Sequence, residues 1–98
     1  MFLLLLGLLV GDADTSSPRM RWITPMDYPA ALHGQKPGGL VEAEFTFAAD
    51  GRMTACRIVA SSGTPLLDQR TCWLSQRRAR AKSGEPRVQV QRHPWVAP

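Results

Sequence analysis

Cys56 and Cys72 are the only two cysteines of this 98-residue chain, and His33 and His93 are its only histidines. Such a set can serve as a disulfide, a metal site, a thiol nucleophile with an imidazole base, or none of these. A structural zinc site needs four ligands at paired short spacings, which these four residues lack. A catalytic thiol needs a base beside it, and nothing in the order of the chain brings either histidine to either cysteine. Cys56 and Cys72 fall on two different expected elements, a strand and a helix. In a small exported chain such a lone pair most simply forms one disulfide. It would close a loop of about 15 residues, which chain-entropy reasoning values at about 3 kcal/mol. One feature opposes it: Cys72 lies to one side of the apolar helix stripe Leu67, Thr71, Leu74, so the helix must roll to present it. Asp27, Glu42, Glu44 and Asp50 form no acid–base pair, since the two Glu residues share the wet face of one strand and the two Asp residues lie in turns. The reading is a non-enzyme with no catalytic residue, metal, cofactor or small-molecule substrate.

The formal net charge is +4, and Arg77, Arg78, Arg80, Lys82 and Arg87 bunch late in the chain. Nucleic acid is set aside as a partner. No aromatic side chains interleave with these cations for base stacking, and cations in the last turn of a helix complement its negative end. The positive field suits encounter with acidic partners, anionic membrane surfaces or peptidoglycan. Residues 2–10 are an apolar run broken only by Gly7, well short of the roughly 20 residues that a transmembrane helix needs. With Gly11-Asp12-Ala13 after it, the run reads as a secretory signal cleaved after Ala13. With an upstream start it would instead be a short inner-membrane anchor. The expected organisation is a signal at residues 1–13, an extension at 14–24 and one small domain at 25–98.

The elements that must position these residues follow from periodicity. Val41, Ala43, Phe45 and Phe47 alternate with Glu42, Glu44 and Thr46, a strand with one buried and one wet face. Asp50-Gly51 supplies a hairpin turn, and a second strand from Met53 to Ala60 follows, with Cys56 and Ile58 on its more apolar face. Ser61-Ser62-Gly63 ends that strand. Thr64 as N-cap, Pro65 at the first helical position and Asp68 near the positive end then open a helix. A short helix near Ala30 follows Tyr28-Pro29 and ends at His33. Trp73 pairs with Leu66 as a packing residue, while Trp22 and Trp95 cover core edges.

Tyr28-Pro29-Ala30, Gly39-Leu40-Val41, Phe45, Asp50-Gly51, Ser61-Ser62-Gly63 and Leu67-Asp68, in this order and spacing, give a chain that resembles the C-terminal domain of TonB, the periplasmic energy transducer of Gram-negative bacteria. Ala81 departs from that pattern, standing where such domains carry a large aromatic. The resemblance implies a two-layer α+β fold, a small antiparallel sheet packed with two helices, located in the periplasm. It also implies an adaptor that grips the TonB box of a TonB-dependent outer-membrane receptor by adding it as a strand to an exposed sheet edge. Through the resemblance that edge is Val88, Gln89, Val90 and Gln91, with Val88 and Val90 facing the helix, Gln89 and Gln91 wet, and Pro94 ending the usable stretch. No span of membrane-crossing length and no Pro-rich spacer is readable, so a soluble exported binder is expected rather than a complete force transducer. The alternative is a structural, envelope-associated domain that self-associates through the same edge or binds cell-wall material.

Overall fold

The computed structural model describes residues 17–98. The expected signal at residues 1–13 lies outside them. Among the described residues three strands and one α-helix form the domain: β1 (Gly39–Phe47), β2 (Met53–Ala60), α1 (Pro65–Arg78) and β3 (Arg87–Trp95). The sheet is antiparallel throughout, in the order β2-β1-β3, and α1 covers one of its faces. No helix among the described residues is long and apolar enough to cross a membrane.

β1 is the central strand, and its alternation is the one expected. Val41, Ala43, Phe45 and Phe47 are buried, and Glu42, Glu44 and Thr46 lie half-exposed on the opposite face. In the hairpin, Gly51 N–H bonds the Ala48 carbonyl at 2.9 Å, and the Asp50 carboxylate accepts from Arg52 N–H at 2.9 Å. Gly51 has φ +89°, and a Cβ there would strike the Ala81 carbonyl. Ala81 N–H bonds Gly51 O at 2.9 Å. The position expected to hold a large aromatic thus has its backbone tied to the turn.

α1 starts where Thr64-Pro65 places it, but the Thr64 side chain makes no cap. Asp68 in the first turn instead ties the preceding loop to the helix, accepting from Ser62 N–H at 2.9 Å, Ser62 Oγ at 2.8 Å and the Ser61 hydroxyl. The buried stripe is Leu67, Thr71, Leu74 and Ser75. Its two hydroxyls are partnered by indoles, Trp95 Nε1 donating to Thr71 Oγ1 and Trp22 Nε1 to Ser75 Oγ, both at 2.9 Å. Trp95 is therefore a core residue rather than an edge cover. Cys56 and Cys72 are disulfide-bonded with their Cα atoms 5.7 Å apart, so the helix does roll toward β2.

Two further expectations are corrected. The segment near Ala30 is a three-residue 3-10 turn, Ala30–Leu32, so among the described residues there is one α-helix rather than two. Pro29 and Gly34 leave only Ala-Ala-Leu-His between them, far too short to offset helix nucleation. His33 stacks on Tyr28 at 5.7 Å between ring centroids. Trp73 is 48 % exposed and does not pack inward. Arg77 lies over its ring at 4.1 Å and Arg70 at 5.5 Å.

Ahead of residue 25, Met20 and Ile23 join the core. Arg78 fixes this part of the chain to the end of α1, donating to both Asp27 carboxylate oxygens at 2.8 and 3.0 Å and to the Trp22 carbonyl at 2.9 Å. The Arg78 hydrogen bonds hold the Asp27 carboxyl below the usual range, against the opposing effect of burial and with help from Thr24.

Replacing one end of the disulfide tests how much the staple contributes. Cys72→Ser should lower the melting temperature by about 12–24 °C, from about 3 kcal/mol at about 4–8 °C per kcal/mol. Calorimetry of the variant beside the unaltered chain checks this, and a shift of only a few degrees would mean that the bond adds little.

Candidate functional site

An edge strand carries backbone N–H and C=O groups on its outer side that its own sheet does not use. This sheet has two such edges, and they differ. Glu42 faces Ala60 while Ala43 faces Ile58, and Thr46 faces Ala55 while Phe47 faces Met53. Val59 and Thr54 are therefore extra residues, and two bulges blunt the β2 edge. β3 pairs with β1 residue for residue from Gly39↔Trp95 to Phe47↔Arg87 without a break. Its edge is the regular one.

In an antiparallel ladder, alternate residues direct both backbone groups to the same side. Arg92 sends its pair outward, its N–H bonding Pro18 O and its carbonyl accepting from Met20 N–H, both at 2.9 Å. Val88 and Val90 share that parity, so their backbone groups also point outward. Among the described residues no backbone group bonds them there. Pro94 shares the parity too, and its missing N–H falls on the outer side, where a proline costs the ladder nothing. β3 itself continues through Pro94 to Trp95, while the outer edge has no donor at Pro94.

The faces of β3 are the reverse of those expected. Val88 and Val90 are 58 % and 36 % exposed and stand opposite Thr46 and Glu44, on the face turned away from α1. Gln89 and Gln91 stand opposite Phe45 and Ala43 on the helix side, half-buried, with Gln91 Nε2 donating to Gln89 Oε1 at 3.1 Å. Trp95 sets this phase. Its indole is anchored under α1, and period two then carries His93, Gln91 and Gln89 to the same face.

His93 is half-buried, and its ring meets Trp95 edge-on at 4.8 Å. Burial, aided by the positive charge of Arg19 and opposed by Asp27, pushes the imidazole below its ordinary value, so it is neutral near pH 7. Neither histidine is beside a free thiol, because both cysteines are in the disulfide. Among the described residues no group of three His, Cys, Asp or Glu side chains could hold a metal. The late cations are not one cluster. Arg77 lies on Trp73, Arg78 pairs with Asp27, Arg80 bonds the Ala79 carbonyl and Arg87 bonds the Lys82 carbonyl. Arg92 and Pro18 stand out at this edge only in three dimensions, because their pairing joins distant parts of the chain and carries no local signal.

A family model described as the C-terminal region of Gram-negative bacterial TonB protein matches residues 24–94. The solution structure of the Helicobacter pylori TonB C-terminal domain is similar to this fold, with a TM-score of 0.64 and 22 % sequence identity over 93 % of this chain and 79 % of that one. Among curated proteins nothing matches.

The depressed His93 value predicts a pH effect with a definite sign. The unfolded chain binds a proton on this residue near its ordinary pKa of 6.5, and the folded chain does so only at lower pH. Between those values the unfolded state holds more protons, so stability is fully present above pH 6.5 and falls as pH drops through the folded value. Urea unfolding at pH 7 and pH 5 should show this loss, and His93→Gln should remove most of it. An unchanged slope in the variant would assign the effect to other groups.

Proposed function

The chain belongs to the TonB C-terminal family, and on that premise we propose that it is a non-catalytic periplasmic domain that binds a TonB-dependent outer-membrane receptor by strand addition, in transport across the outer membrane. The receptor's extended TonB-box segment joins the sheet along Val88, Gln89, Val90 and Gln91 of β3. The observation that carries this reading is the unbulged outer edge at Val88 and Val90, with two N–H and two C=O groups directed outward. Main-chain bonding of this kind gives affinity, and side chains on alternate positions give selectivity. Exposed Val88 and Val90 supply an apolar surface for those contacts on the face away from the helix. Positive charge adds a longer-range attraction toward acidic surfaces.

Self-association through the same edge is the competing use, since a second copy would offer the same backbone groups. A titration of the isotopically labelled chain with a synthetic peptide carrying a receptor TonB box separates the two. Saturable amide shifts concentrated at Arg87 to Arg92 are expected. Silence at millimolar peptide, with concentration-dependent broadening of the same amides, would replace the receptor reading with self-association.

A further inference from the structure

The chain already adds one strand residue to its own β3 edge. Arg19 lies beside Arg92 in a parallel bridge, formed by Arg92 N–H to Pro18 O and Met20 N–H to Arg92 O at 2.9 Å each. Arg92 Nε donates to Ser17 O at 2.9 Å, and Ser17 Oγ to the Glu42 carboxylate at 2.9 Å. Met20 anchors the segment from the other side, buried in the core. This is a built contact, and among the described residues the self-pairing is one residue long.

Two prolines account for its length. In a parallel ladder a residue's N–H and C=O bond the two residues flanking its partner. Continued one step toward the start of β3, the ladder would need residue 18 to donate its N–H to the Val90 carbonyl. Pro18 has no N–H to give. Continued one step the other way, Pro94 would have to donate its N–H to the Met20 carbonyl, and it has none either. Each continuation past Arg92 therefore lacks a donor, at Pro18 on one strand and at Pro94 on the other.

We propose that Pro18 is a built-in stop that keeps the chain's own N-terminal segment off Val90 and so reserves Val88 and Val90 for an incoming extended peptide. This rests on the strand-addition reading above. The edge is divided in two: the Arg92 end is closed by the chain itself, and among the described residues nothing pairs with the Val88–Val90 end. Pro18 is a positioning residue that touches no ligand. It sets where an added strand must end, because a peptide running past Val90 would meet the Pro18–Met20 segment.

The test is Pro18→Ala in the full chain. Pro18 is exposed, so the substitution leaves the core intact. The backbone N–H that the variant gains at position 18 should bond the Val90 carbonyl and exchange with solvent at least about tenfold more slowly than an unprotected amide. Affinity for the TonB-box peptide should fall about threefold to tenfold, because the open form is then only a fraction of the population. A position-18 amide that exchanges freely overturns the proposal, and so does a protected one with peptide affinity unchanged. If the unaltered chain binds no peptide, the receptor reading fails on its own account. Exchange at position 18 of the variant then still decides whether Pro18 limits self-pairing, and free exchange would overturn that too.

Discussion

A single helix of 14 residues has to cover one face of a three-stranded sheet, and the rest of the structure depends on how that cover is made complete. Val41, Ala43, Phe45 and Phe47 present a face with almost no solvent exposure, and Leu67 and Leu74 meet it from above. Two helix positions on the inner face carry hydroxyls instead of carbon. Each is acceptable in the core because an indole N–H reaches it: Trp95 from the last strand and Trp22 from the segment before the first. Buried donors and acceptors are costly when unpaired. Each pair therefore ties a distant part of the chain to the helix and satisfies two groups at once.

The disulfide completes the cover on the β2 side, where Met53, Cys56 and Ile58 are only half-buried. A domain of this size buries only about 60–65 % of its unfolded surface, which leaves little reserve for a thinly covered strand. Cross-linking Cys56 to Cys72 holds the helix over β2, where apolar contact is thin. The opposite face of the sheet keeps Leu40, Val59, Val88 and Val90 partly exposed, with the Arg57–Glu44 pair at 3.2 Å among them.

Much of this was legible in the sequence because it is local. The β1 alternation, the Asp50-Gly51 turn, the start of α1 at Pro65 and its Leu67, Thr71, Leu74 stripe each rest on residues a few positions apart. What was not legible depended on distant partners. Two valines in β3 suggested its apolar face, but Trp95 outweighs them, with one large ring anchored under α1 fixing the parity of the whole strand. Trp73 has the size of a core residue, yet it lies on the exposed side of the helix, where Arg70 and Arg77 stack on it. Three-residue turns near Pro25 and Ala30 replace the expected short helix because prolines interrupt that stretch. The bridge from Arg19 to Arg92 spans almost the whole described chain.

The geometry of the β3 edge bears on how tightly it could hold an added strand. Val88 and Val90 offer four backbone groups, and each hydrogen bond made on association contributes a net of about 0.5–1.5 kcal/mol. Their sum is smaller than or comparable to the cost of immobilising a flexible peptide. Backbone pairing alone therefore cannot give a long-lived complex at this edge, and side chains must supply the remainder. The exposed valines point to the face away from the helix, so the selective contacts of a bound strand would form there, beside Glu44 and Thr46. A partner held this way would be recognised by the apolar residues of its alternate positions, and its register would be set by where the chain's own segment at Pro18 begins.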